Sequence, residues 1–240
     1  MTIANISWLA SGEPFSEQFQ DFYFSTDGGL QETDFVFLQQ NQFPQRFTHS
    51  NHIKIGETGF GTGLNFLVTA CRFLSHAPEK NTLDYLSIEK YPLSYTQLQQ
   101  VYSVFKKSWP ELTMVCNEFL SHYSGCLNNS KKIKLFNNRI QLNLIIDDAA
   151  TGLKQLADTR YQPLDAWYLD GFSPAKNPEM WHQDLFTAIA KLSRTGTTLS
   201  TFTSAGVVRR GLLEAGFKVT KVPGPGKKRE ILSAIKPAVP

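Results

Sequence analysis

The sequence predicts an open, mostly parallel α/β sheet, and three observations predict it. From His52 onward, apolar strand-like runs alternate with segments of helical period. The first of these strands, around Ile53 to Ile55, leads into IGETGFGTGLNFL (Ile55–Leu67), a glycine-rich strand-to-helix turn of the type such sheets carry. The later run AWYLD (166–170) has little polar interruption, as a strand covered on both faces requires.

In chain order, residues 1–46 predict a small aromatic-rich β appendage and 47–240 the α/β domain. DFYFS and TDFVFLQ flank the turn signal Thr26-Asp27-Gly28-Gly29, and Phe22 with Phe24, then Phe35 with Phe37, fall at strand period. After the glycine turn, LNFLVTACRFL reads as a helix and LDYLSIE as a strand. Leu98, Val101, Tyr102 and Phe105 lie at helical spacing. Two short β runs flank Asn137-Asn138, the second being IQLNLIID. Behind AWYLD, Asn177 is placed to cap a helix, with Pro178 at its first position. Trp181, Leu185, Ile189 and Leu192 mark its apolar face and Gly196 its end. TTLSTFTS is then a strand and GVVRRGLLEAG a helix closed by Gly216, while FKVTKV and REILSAI form the last two strands around PGPGKK.

Composition excludes several function classes. Hydrophobic residues make up 41% and charged residues 19% of the 240 positions, ordinary for a globular protein. There is no run of about 18 apolar residues, and MTIANISWLASGEP lacks the basic and apolar regions of a secretory signal. A cytoplasmic protein is expected. Cys71, Cys116 and Cys126 lack metal-ligand spacing, and His49 with His52 is an isolated pair, so no metal is predicted. The net charge of +3 is compatible with a nucleic-acid partner without requiring one, although KKIK (131–134), Arg209-Arg210 and GKKRE (226–230) bunch basic residues.

The glycine turn discriminates among ligands. A phosphate-cradling loop GxxxxGK[ST] would need lysine where Thr62 stands, and Glu57 would repel the phosphate. A dinucleotide fingerprint starting at Gly59 and Gly61 would need glycine or alanine where Leu64 stands. S-adenosylmethionine, with a positive sulfonium and no phosphate, suits an acidic turn made of Glu57, Gly59, Gly61 and Gly63. Glu89 ends the next strand, where an acid accepts hydrogen bonds from ribose hydroxyls. Asp148 follows LNLIID, placed for an adenine amino group; adjacent Asp147 is nearly equivalent, and Asp148 is favoured because it directly precedes Ala149.

LDGFSPAKNPEMW (Leu169–Trp181), together with IGETGFGTGLNF, DFYFSTDGGLQETDFVFL and TFTSAGVVRRGLLEAGFKV, resembles the MnmC/MnmD-type tRNA methyltransferases over nearly the whole chain. The resemblance implies a class I, Rossmann-like S-adenosylmethionine-dependent fold of seven mostly parallel strands, with the last, here REILSAI, inserted antiparallel. It implies N-methylation of 5-aminomethyl-2-thiouridine at the tRNA wobble position, with tRNA as partner. Many members also carry a flavin-dependent oxidase that prepares the amine, and no second glycine fingerprint here corresponds to it. Either a stand-alone form or the methyltransferase portion of a longer protein is expected.

Within that resemblance Asp170, ending AWYLD, is the expected catalytic residue, holding the amine and accepting its proton. Phe172 is a platform for the uracil ring or a core residue. Lys176, Arg209, Arg210, Lys227, Lys228 and Arg229 are expected tRNA phosphate contacts. Tyr23, Asp27 and Glu32 match the family pattern and either close over the cofactor or serve pairing and turns. Two alternatives stay open: a small-amine transferase of the aminopropyl type, and a non-catalytic RNA-binding module.

Overall fold

The computed structural model describes residues 2–10, 12–123, 131–159, 161–226 and 230–238. A central sheet of eight strands has the order β10-β11-β9-β8-β4-β5-β7-β6. Its parallel strands are β4 (His52–Thr58), β5 (Thr82–Glu89), β7 (Ile140–Ile146), β8 (Leu164–Leu169) and β9 (Ser193–Thr201). β11 (Glu230–Ile235) inserts antiparallel between β9 and β10 (Lys218–Pro223), as expected of REILSAI. The eighth strand, against seven expected, is β6 (Lys131–Leu135), which extends the edge as an antiparallel hairpin with β7.

Helices cover both faces, and the strands divide their side chains accordingly. On β8, Ala166 and Tyr168 join one buried cluster, with residues of α3 (Leu64–His76), α4 (Tyr95–Ser108) and α5 (Thr113–Tyr123). Trp167 and Leu169 join the other, with α7 (Gln183–Lys191) and α8 (Gly206–Glu214). α6 (Ala149–Ala157) packs beside α7 on that second face.

The N-terminal segment departs from the expected β appendage. Only β1 (Ile6–Trp8), β2 (Pro14–Ser16) and β3 (Asp21–Phe22) form a small antiparallel sheet. TDFVFLQ is helical instead of extended: α1 (Gly29–Thr33) runs into a π-helical turn at Asp34–Leu38, followed by α2 (Gln45–His49). Val36, Phe37 and Leu38 are all buried in succession, and such a run carries no period that separates strand from helix. The expected helix after AWYLD also starts late. Asn177 and Pro178 lie in consecutive turns, Met180 N bonding to Asn177 O and Trp181 N to Pro178 O, and α7 begins only at Gln183. Gly196 does not end that helix; it lies inside β9 with φ of 86°.

Register brings the strand ends into line. Thr58 pairs with both Ile88 and Leu169, Leu169 with Thr201, and Glu89 with Ile146. The residues just beyond these positions therefore meet at one edge of the sheet.

Candidate active site

A cavity of about 580 Å³ opens over that edge. Its floor is the turn after β4, the ends of β5 and β8, and the start of α6. Its roof is the segment from Glu13 to Ser25 with α1. Gly59 (φ 73°) and Gly61 (φ 53°) hold left-handed backbone, where side chains are strained. A Cβ at Gly59 would lie 3.0 Å from the carbonyl oxygen of Asp170, and one at Gly61 3.3 Å from the Tyr23 ring. The turn is thus pressed between the β8 end and the roof. Gly63 does not line the cavity; it precedes α3 and packs under Phe60 and Tyr102.

The predicted acids separate into two groups. Glu89 lines the cavity and accepts hydrogen bonds from Gly61 N (2.7 Å) and Tyr91 N (2.8 Å). Burial pushes its carboxyl above the usual range, and those backbone N–H groups oppose the shift. Asp148 lines the cavity, caps α6 by accepting from Thr151 N, and pairs with Lys90 at 3.2 Å. Asp147 accepts from Asp148 N at 2.7 Å and is absent from the lining. Asp170 lines the cavity, with Oδ1 accepting from Gly171 N at 2.9 Å.

Glu57 belongs to the second group. It is 0% exposed beneath the glycine turn, outside the lining, and cannot face a ligand there as the sequence reading has it. Its carboxylate accepts from Ser87 Oγ (2.6 Å) and Asn65 Nδ2 (3.0 Å), and burial pushes its pKa well above the usual range. Asn65, which the sequence reading missed, also donates to Asp170 Oδ2 at 2.7 Å. The available signal was a polar residue inside LNFLV, where every neighbour is buried.

The other predicted residues distribute as follows. Phe172 lines the cavity, but Phe19 stacks on its ring (4.5 Å, 23°) and Tyr23 meets it edge-on (5.2 Å). Phe22, at the same cavity, is 54% exposed. Tyr23 and Glu32 line the cavity, while Asp27 is exposed in the turn before α1. Burial pushes the Tyr23 hydroxyl far above the ordinary phenol range, with Glu89 adding to it. Lys176, Arg209 and Arg210 are exposed and outside the lining. Lys227, Lys228 and Arg229, like Cys126, lie outside the described residues. His52 pairs with Asp84 at 3.3 Å, and His49 bonds to Gln45 O.

The charge of the cavity is one-sided. Glu13, Asp21, Glu32, Glu89, Asp148, Asp170 and Glu179 line it, against Lys90 as the one basic residue among the described lining, itself paired with Asp148. A low-dielectric cleft lined by one sign of charge concentrates ligands of the other sign. Such a site attracts a cation and repels a pyrophosphate.

Comparison with known proteins follows the same direction. Residues 110–237 match the family described as S-adenosyl-L-methionine-dependent methyltransferase. Over 235 residues the chain is 46% identical to a tRNA 5-methylaminomethyl-2-thiouridine biosynthesis bifunctional protein MnmC from Aeromonas hydrophila, covering 96% of this chain and 35% of that protein. The protein of the same name from Vibrio cholerae is 44% identical over 237 residues, with the same two coverages. The chain spans about a third of the length of these relatives. A crystal structure of MNMC2 from Aquifex aeolicus superposes with a TM-score of 0.71 at 24% identity, covering 100% of this chain and 73% of that one. That likeness is one of fold. Among the described residues no helix is long and apolar enough to cross a membrane.

Proposed function

The chain belongs to the S-adenosyl-L-methionine-dependent methyltransferase family, and from that premise we propose that it methylates the exocyclic amine of 5-aminomethyl-2-thiouridine at the tRNA wobble position, giving 5-methylaminomethyl-2-thiouridine. The observation that carries this reading is the acid-lined cavity with Asp170 at its floor. Both ligands it would receive are cations, the sulfonium donor and an alkylammonium acceptor. The names of the Aeromonas and Vibrio relatives point to the same nucleoside.

The residues present fit the donor. Gly59 and Gly61 leave bare backbone where a Cβ would intrude, and among the described lining the one basic residue, Lys90, is paired with Asp148. In this reading Glu89 takes the ribose hydroxyls, Asp148 the adenine amino group, and the Gly59–Gly61 backbone the amino acid end. When bound, S-adenosylmethionine supplies a methyl group on positively charged sulfur. Asp170 does the work on the acceptor. An alkylamine with a pKa of about 10, by analogy with lysine, is mostly protonated near neutrality, so its lone pair must be freed and aimed. Asp170 accepts a hydrogen bond from the amine, takes up its proton and holds the nitrogen toward the donor.

The roof completes the pocket. Phe19, Tyr23 and Phe172 form a packed aromatic cluster at the cavity, and Phe22, exposed at the cavity, stacks the uracil ring in place of Phe172. Lys176, Arg209 and Arg210 take the tRNA backbone. The amine is prepared by a flavin-dependent oxidase, either in the remaining length the relatives have or as a separate partner. Family membership favours methyl over aminopropyl transfer, and an intact acid set favours an enzyme over a non-catalytic RNA-binding module.

The test is incubation of tRNA bearing 5-aminomethyl-2-thiouridine with S-adenosylmethionine, followed by nucleoside mass analysis. One methyl gained on that nucleoside with wild type, and none with Asp170→Ala, is expected. An unchanged nucleoside with folded wild type overturns the proposal.

A further inference from the structure

Asn65 is the second residue of α3 and is 6% exposed. It lines the cavity together with Thr33, and its amide bonds to three side chains. Nδ2 donates to Glu57 Oε1 (3.0 Å) and to Asp170 Oδ2 (2.7 Å), using both amide hydrogens on two carboxyl groups. Oδ1 accepts from the Thr33 hydroxyl at 3.1 Å. The Thr33 donor on Oδ1 and the Asp170 acceptor on Nδ2 act on opposite atoms of the amide and together set which way it faces. Thr33 is buried at the end of α1, and α1 also gives Gly29 and Glu32 to the cavity roof.

We propose that Asn65 is a positioning residue for Asp170, and that Thr33 sets the Asn65 amide, so that roof helix α1 is held in register with the carboxylate facing the acceptor. The inference rests on the reading of Asp170 as the group that receives the amine. Glu57 supports it from below. Its burial under the glycine turn gives Asn65 a fixed second acceptor.

The experiment compares Thr33→Val, which keeps the shape and loses the donor, with Thr33→Ser, which keeps the donor. Crystal structures of both variants come first, because they need no acceptor. In Thr33→Val the Asn65 amide is expected to turn and Asp170 Oδ2 to leave it, while Thr33→Ser retains the wild-type arrangement. Asn65 and Asp170 unmoved in Thr33→Val overturn the inference whatever the substrate is.

Kinetics supply the second arm. Thr33→Val and Asn65→Asp are expected to lower kcat by about tenfold or more, with the affinity for S-adenosylmethionine unchanged and Thr33→Ser restoring the wild-type rate. A parallel loss of donor affinity and kcat, or Thr33→Ser as impaired as Thr33→Val, marks a merely structural role and also overturns it. Asp170→Ala separates the two readings. If it retains kcat, the role of Asp170 fails; if it abolishes kcat while Thr33→Val and Asn65→Asp retain it, positioning alone fails.

Discussion

Gly61 donates its backbone N–H to the Glu89 carboxylate at 2.7 Å, tying the turn after β4 to the end of β5. One side chain therefore both shapes the glycine turn and faces the cavity. Glu89→Ala removes the ribose acceptor and releases Gly61. Calorimetric titration should show S-adenosylmethionine binding weakened by about tenfold or more, the equivalent of roughly 1.4 kcal/mol. Unchanged affinity would remove Glu89 from the donor site.

Gly59 sits at φ of 73°, with the Asp170 carbonyl 3.0 Å from where a Cβ would stand. Gly59→Ala combines left-handed strain with a backbone clash, and is expected to cost about 1–3 kcal/mol. For a chain of this size each kcal/mol lowers Tm by about 2–4 °C. Differential scanning calorimetry checks this, and donor affinity should fall with it.

Glu57 makes stability depend on pH in a defined direction. Burial raises its pKa in the folded state well above the ordinary carboxyl range, opposed by the Ser87 hydrogen bond and reinforced by Asp170. The folded protein keeps this proton where the unfolded chain has lost it, so the contribution is full below the unfolded pKa and is lost as pH rises through the folded one. Glu57→Gln has no proton to lose. Its Tm relative to wild type should climb as pH rises above the ordinary carboxyl range toward the raised folded-state pKa. Glu89 shifts in the same direction but is present in both proteins, so the difference reports Glu57 together with its coupling to Asp170. A difference that stays flat would mean that Glu57 is ionised in the fold.

Arg209 and Arg210 are exposed on α8, which follows Phe202 of the cavity lining. If they hold tRNA phosphates, Arg209→Glu/Arg210→Glu should raise KM for tRNA several-fold and flatten its salt dependence, leaving donor affinity intact. A KM and salt slope equal to those of wild type would assign them to solvent.

Much of the site is legible in the sequence because a parallel sheet aligns its strand ends. Glu89, Asp148 and Asp170 each follow an apolar run, and register alone puts them at one edge. Depth is not legible that way. Glu57 precedes the glycines by two residues and reads as a ligand contact, yet it pairs in register with Ser87 and Tyr168 inside the sheet. The roof is least legible: Phe35 and Phe37 mimic strand period within a buried helical run, and the ring that covers Phe172 comes from Phe19, far away in sequence. Asn65 goes unread because its partners, Thr33, Glu57 and Asp170, come from three separate segments.

The acids that line the cavity are expected to select positive ligands and turn phosphates away. Competitive calorimetry of wild type with S-adenosylmethionine, ATP and NAD tests this most directly. Saturable binding of S-adenosylmethionine, undisturbed by millimolar ATP or NAD, is the expected result. Displacement of the methyl donor by either phosphate compound, or binding of ATP or NAD where the methyl donor gives no heat, would contradict cation selection by this cavity.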